Sequence, residues 1–225
     1  MIHILQVGTQ TLHLLPDKAI YIPDLGCLLV ADVHLGKAET FQAFGVPIAS
    51  QVNQTTLNRL LALCQQVRPQ QLLILGDLFH APQALTAEVL QAWADFLAAI
   101  AAQTTLIVGN HDRPLTQALC QLPMTCQTEA LRLGSLRLSH EPETAQPADA
   151  SFCLNICGHT HPVVRLKSRL DSLRLPCFYL DSQQKQLTLP AFGEFTGGYE
   201  VPLSRGTAAY VVAENTVVAL DPALP

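Results

Sequence analysis

The chain has 225 residues, of which 49% are hydrophobic and only 14% charged. A chain this long and apolar can bury a sizeable core, which excludes disorder as its general state. Thirteen Lys and Arg against eighteen Asp and Glu give a net charge of −5, so general attraction to nucleic acid or anionic lipid is weak.

The first thirty residues read as short strands over Ile2 to Val7, Thr11 to Leu15 and Cys27 to Ala31, parted by turn signals at Pro16-Asp17 and Asp24-Leu25-Gly26. The charge-free stretch Thr40 to Asn58 is broken by Gln, Ser, Thr and Asn, and with no long apolar run a spanning helix is excluded. Ser50 to Val67 has apolar residues at helical spacing, with Ser50 placed to cap it. Gln71 to Leu75 is a strand ending at Gly76-Asp77. Thr86 to Ile100 is a second helix whose apolar stripe includes Trp93 and Phe96, read as core rather than as a base-stacking platform. Thr104 to Val108 is a further strand, ending at Gly109-Asn110-His111-Asp112. Alternating strands and helices predict a parallel or mixed sheet covered by helices. Such folds gather ligands beyond the carboxyl ends of their strands, so Asp32, Asp77 and Asn110 are expected to meet.

The second half reads as strands. Leu and Arg alternate around Gly134-Ser135 as in a hairpin. Glu141 to Ala150 reads as a loop, and Phe152 to Cys157 as a strand that stops at Gly158. Val163 to Leu166, Leu175 to Leu180, Ala208 to Val212 and Val217 to Leu220 are strands, and Pro190 to Tyr199 is an ordered loop. No internal repeat or domain boundary stands out, so residues 1–225 are expected to form a single domain. The seven cysteines are odd in number and form no C-x-x-C pair; they read as reduced core thiols in a cytoplasmic protein. No basic segment precedes an apolar one at the N-terminus, so no secretory signal is expected.

Five short signals carry chemistry: Asp32-Val33-His34, Gly76-Asp77 with His80 behind it, Gly109-Asn110-His111-Asp112, Ser139-His140, and Gly158-His159-Thr160-His161. Six of the eight histidines lie in or beside them. Each signal alone is an ordinary turn, but each follows an apolar strand, and carboxylates with neutral imidazoles suit Mn, Fe or Zn.

In order and spacing these motifs resemble the calcineurin-like metallophosphoesterases. The resemblance implies an α/β fold, a four-layer α/β/β/α sandwich with a dinuclear metal site at the strand ends. It places Asp32, His34 and His161 on one divalent ion, Asn110, His140 and His159 on the other, and Asp77 between them. It makes His111 the catalytic histidine, oriented by Asp112, and implies hydrolysis by a metal-activated hydroxide. Oxygen and imidazole ligands without thiolate favour Mn²⁺, with Fe or Zn as alternatives. Ala31 to Lys37, Phe44 to Pro47 and Leu189 to Gly198 are further similar to a small bacterial branch, the ligase-associated DNA damage response endonucleases. That branch implies a phosphodiester substrate such as DNA, and DNA-repair partners such as a ligase or helicase. His80 stands where the wider family often has an acidic residue and is given an assisting role.

Two aspartates and two divalent ions leave a local charge of +2, so a phosphate needs no basic surface. Lys37, Arg113 and Arg165 are read first as solvated charges and second as phosphate contacts; Arg59 and Arg68 are read as surface. No interleaved basic and aromatic stripe appears. A nucleotide or metabolite phosphatase is therefore the alternative enzyme, and a non-catalytic interaction module on the same fold is the alternative outside enzymes. A membrane role has no basic amphipathic helix to support it.

Overall fold

The computed structural model describes residues 1–48, 51–143, 152–167, 171–194 and 196–220. The proposed cap Ser50, most of the loop after Glu141, and Phe195 lie outside them.

The first sheet has seven strands in sequence order: β1 (His3–Val7), β2 (Gln10–Leu15), β3 (Ala19–Ile22), β4 (Cys27–Val30), β5 (Gln71–Leu75), β6 (Gln103–Ile107) and β7 (Thr125–Gln127). The first three pairings are antiparallel. From β4 to β7 the strands run parallel. Helices α1 (Lys37–Ala43) and α2 (Gln51–Val67) join β4 to β5, α3 (Ala87–Ala99) joins β5 to β6, and the short α4 (Thr116–Leu119) precedes β7.

Every residue of β4 is buried, because a parallel strand here is covered on both faces. Leu28 and Val30 join a cluster with Leu57, Leu60, Trp93 and Phe96 of α2 and α3. Cys27 and Leu29 turn the other way, into a cluster shared with the second sheet. Helix α3 starts at Thr86, whose hydroxyl accepts from the Val89 N–H at 3.3 Å. Its residues Val89, Trp93 and Phe96 are buried one and two turns apart. Trp93 is the core residue that the stripe predicted, stacked on Phe96 at 5.0 Å.

The second sheet contains β8 (Leu131–Leu133), β9 (Leu136–Leu138), β10 (Leu154–Cys157), β11 (Pro162–Lys167), β12 (Ser172–Asp181), β13 (Gln186–Thr188), β14 (Tyr199–Glu200), β15 (Thr207–Ala213) and β16 (Thr216–Leu220). The hairpin around Gly134-Ser135 is β8 and β9. Strands β9, β10 and β13 run parallel to one another. Both β9 and β10 therefore deliver their following residues to the same edge.

The two sheets and the helices over the first make the expected α/β sandwich. On the outer face of the second sheet no helix follows Leu119 among the described residues. That face packs Val164 and Val201 on Cys177, Ala209 and Val211. Helix α1 was missed because it buries only Ala38 and Thr40. The cysteine reading holds for Cys27, Cys64, Cys157 and Cys177, which are buried; Cys120 and Cys153 are exposed, and all seven are free.

Arg59 is another correction. Its guanidinium pairs with Glu194, donates to the Phe192 carbonyl and lies 4.3 Å over the Phe192 ring. It ties α2 to the loop after β13 rather than waving in solvent. No described helix is long and apolar enough to cross a membrane.

Candidate metal centre

The chemistry-bearing residues meet at one rim. Asp32 and His34 follow β4, Asp77 follows β5, and Asn110 to Asp112 follow β6. His140 follows β9, and His159 and His161 follow β10. Among the described residues, five of the nine non-glycine residues with left-handed backbone are Asp32, His34, Asp77, His159 and His161. Such conformations cost of order 1–3 kcal/mol each and persist where surrounding structure enforces them, often at functional sites. Here the enforcement is a ladder between loops: Asp32 N–H donates to the Gly76 carbonyl, and His34 N–H to the Asp77 carbonyl.

Two glycines make room. Gly76 sits at φ 80°, and a Cβ there would lie 2.1 Å from the His140 ring. A Cβ on Gly109 would lie 2.2 Å from Asp77 Oδ1. Any side chain would therefore displace the groups those motifs assemble.

Three donor groups form, each with its atoms within 4.8 Å: Asp32, His34 and His161; Asp32, Asp77 and His140; and His34, His80 and His111. Asp32 is fully buried and accepts the His159 N–H at 2.9 Å. Its Oδ1 lies 3.3 Å from His161 Nε2. That nitrogen is buried and makes no well-formed hydrogen bond. Burial pulls the His161 ring down, but the neighbouring Asp32 carboxylate outweighs it and the net shift is upward.

Asp77 faces both sides of the cluster. Its Oδ1 accepts the His111 N–H at 2.9 Å and lies 3.5 Å from His140 Nε2. Its Oδ2 lies 3.8 Å from His34 Nε2. Burial pushes its carboxyl up, as expected for a desolvated charge awaiting a cation.

His140 reveals the same need. Its Nδ1 is 2.9 Å from the Leu75 carbonyl, which can only accept, so Nδ1 carries the proton. In the neutral ring Nε2 is then a lone pair, 2.9 Å from Asn110 Oδ1 and 3.2 Å from His159 Nδ1. His159 Nδ1 is itself 2.9 Å from Asn110 Oδ1. His140 Nε2 and Asn110 Oδ1, two acceptors 2.9 Å apart, fit a shared cation, which His159 Nδ1 joins in its lone-pair tautomer. No thiolate competes, since burial pushes the nearby Cys157 thiol up to about 12.

One expected role is corrected. Asp112 does not hold the His111 ring. His111 Nδ1 donates instead to the His80 carbonyl at 2.6 Å. The Asp112 carboxylate is fully buried and accepts the backbone N–H groups of Leu78, Phe79 and Gly109 at 3.1–3.3 Å. It pins the Asp77 and Asn110 loops together. Burial pushes its carboxyl up to about 6, against those hydrogen bonds. Asp112→Ala is expected to lower the unfolding free energy by about 2 kcal/mol, because it strands buried donors. Urea denaturation measures this, and an unchanged midpoint would show that the pin carries no load.

His80 lies closer than sequence suggested. Its Nδ1 is 3.3 Å from His34 Nδ1, and its ring stacks on His111 with centroids 5.1 Å apart. Nothing in the local spacing marks His80 as a neighbour of His34, forty-six residues earlier. Lys37 is half-buried, whereas Arg113 and Arg165 pair with Glu141 and Glu200.

Burial first, then neighbouring cationic groups, push His34 down to about 2; burial and then Lys37 push His80 down to about 4. Both rings hold protons less tightly folded than unfolded, where the value is near 6.5. Stability is therefore full above pH 6.5 and declines below it, the His80 share being lost as pH falls through about 4 and the His34 share as it falls through about 2. The melting temperature of chelator-treated protein should fall over that interval, and less steeply in His80→Gln. Equal slopes in the two proteins would contradict the assignment.

The calcineurin-like phosphoesterase family model matches residues 27–140, just over half of the chain. The chain belongs to the calcineurin-like phosphoesterases. Phosphoesterases of this family use divalent metal ions, and the Asp and His clusters are suited to hold them. A nuclease of Pseudomonas putida, MPE, is 35% identical over 98% of this chain and 100% of its own, with a TM-score of 0.80. A phosphoesterase from E. coli, Yfce, is 18% identical over 86% of this chain and 97% of its own, with a TM-score of 0.44. No curated protein sequence matches.

Proposed function

We propose that this phosphoesterase hydrolyses phosphodiesters in nucleic acid, with DNA the favoured substrate and DNA repair the setting. One observation carries the reading: the complete oxygen and imidazole cluster sits in a chain similar along its whole length to a nuclease.

Asp32, His34 and His161 are assigned to one divalent ion, and Asn110, His140 and His159 to the other, with Asp77 between them. The buried His161 Nε2 beside Asp32 Oδ1, and the convergence of His140 Nε2 and His159 Nδ1 on Asn110 Oδ1, support this division. Mn²⁺ is the favoured metal, because the donor set contains no thiolate. When bound, two such ions supply Lewis-acid polarisation of phosphoryl oxygens and activation of water.

The chain's own groups do the rest. The left-handed loops hold the carboxylates and imidazoles in place before substrate arrives. The His80 carbonyl holds His111 Nδ1–H, so a second proton on this ring sits on Nε2. That proton is assigned to charge stabilisation at the phosphate or to the leaving oxygen. Asp112 serves by fixing the loop that carries His111.

The test is the ratio of hydrolysis rates for bis(p-nitrophenyl) phosphate and p-nitrophenyl phosphate, using metal-free protein reloaded with Mn²⁺. A strong diester preference is expected and leads to single-stranded, nicked and duplex DNA. A strong monoester preference would overturn it in favour of a nucleotide or metabolite phosphatase.

A further inference from the structure

We infer that one face of the β11–β12 ribbon, carrying Arg165, Lys167 and Arg174, is the track along which a nucleic-acid strand lays its phosphates as it leaves the metal cluster. This rests on the nucleic-acid reading above and adds where the strand runs.

The argument starts from register. Strand β11 begins directly after His161 and pairs antiparallel with β12, setting Val163 opposite Pro176, Arg165 opposite Arg174 and Lys167 opposite Ser172. Residues two apart on a strand share a face, and so do cross-strand partners. Val163, Arg165 and Lys167 therefore line one face together with Pro176, Arg174 and Ser172. The alternate face is apolar, with Val164 and Leu175 packed in the small outer cluster. Arg165, Lys167 and Arg174 are all exposed.

Like charges directly opposite one another destabilise a strand pair. Arg165 and Arg174 are such a pair, with Lys167 beyond them. The carboxylate on this face is Glu200 of β14, 2.7 Å from Arg165 Nε. Its hydrogen bond to Arg165 holds it below the usual range, and the charges of Lys167 and Arg174 act in the same direction. Among the described residues that share this face, Arg165, Lys167 and Arg174 outnumber Glu200, on a protein whose net charge is −5. An anionic strand relieves this repulsion.

The near end of the face reaches the cluster at one residue, His161. His161, Val163, Pro176 and Arg174 line one cavity of about 270 Å³, with Lys18 and Glu194 also in its wall, Glu194 being neutralised by Arg59. Arg174 is oriented there by donating to the Gly198 carbonyl. Lys18 is half-buried, with left-handed backbone at φ 63°. At about 3.3 Å per residue, the strand from residue 161 to 167 carries cations roughly 20 Å from the cluster. A mononucleotide or small phosphorylated metabolite has nothing to place so far out, whereas a strand has several phosphates.

The test compares Mn²⁺-loaded wild type with the triple variant Arg165→Gln/Lys167→Gln/Arg174→Gln. The substrates are a single-stranded oligodeoxynucleotide and bis(p-nitrophenyl) phosphate, which has one phosphate. The ratio of kcat/KM on the oligonucleotide to that on the small diester should fall at least tenfold, mainly through KM. The plot of log(kcat/KM) against log[salt] for the oligonucleotide should become shallower by about 2, at roughly 0.7 per lost contact. Glu200→Gln should act oppositely, lowering the oligonucleotide KM and steepening the plot, which no folding defect would do. An unchanged ratio in the triple variant, or equal losses on both substrates, would overturn the track. Failure of wild type to cut DNA or RNA while hydrolysing the small diester would instead overturn the nucleic-acid reading itself, before any variant is made.

Discussion

Asp77→Ala is expected to abolish turnover, by more than about 10³-fold, and to reduce metal content from two ions per chain to one or none. The expectation follows from where the carboxylate points. Its two oxygens face different imidazoles, His140 at 3.5 Å and His34 at 3.8 Å. Asp32 also lies near both, with Oδ1 3.9 Å from His140 Nδ1 and a place in the donor group of His34, but His140 Nδ1 is already taken by the Leu75 carbonyl. Burial raises its proton affinity, so the charged form needs compensation from a cation. Alanine removes the charge, both donor atoms and the acceptor for the His111 N–H. Asp77→Asn separates these losses, because one oxygen can still accept from His111 while the charge is gone. Metal analysis beside kcat measures both variants. A fast Asp77→Ala enzyme that retained both ions would eliminate Asp77 as the shared ligand.

Much of this rim was legible in sequence for a simple reason. Each apolar run stops where a strand stops, and the next polar residues stand at the carboxyl end of a sheet. That logic brought Asp32, Asp77 and Asn110 together although they lie far apart in the chain. The Gly134-Ser135 hairpin and helix α3 were legible because turn chemistry and a 3.6-residue stripe are local. Strands β3, β7, β13 and β14 were not, since two to four residues show no period and no hairpin turn or chemical motif marks them. The target of Asp112 was misread because adjacency in Asn110-His111-Asp112 suggested contact, whereas the buried carboxylate turns back to the Leu78 and Phe79 amides. The basic ribbon face was invisible for the same class of reason. Arg165 and Arg174 become neighbours only through the register of β11 on β12, and composition recorded merely an acidic chain.

His111→Gln is expected to leave metal content near normal and to lower kcat by roughly 10²- to 10⁴-fold. The ring is held on three sides. Its Nδ1 donates to the His80 carbonyl at 2.6 Å. Its face stacks on His80 with an interplanar angle of 19°, and it meets His34 edge to face at 5.1 Å. Its backbone N–H is fixed on Asp77. These contacts leave Nε2 as the nitrogen available to substrate. Glutamine preserves a polar donor of similar length but cannot transfer a proton at this position. If the lost function is protonation of the leaving oxygen, the defect should be larger for an alkyl phosphodiester, whose alkoxide needs the proton. It should be smaller for a p-nitrophenyl diester, whose phenolate leaves without one. Equal defects on both substrates would assign His111 to charge stabilisation at the phosphate instead. Loss of ions would make it a ligand, a role that the grouping of His34, His80 and His111 within 4.8 Å makes chemically feasible. Metal analysis of the same sample separates that outcome from both catalytic roles.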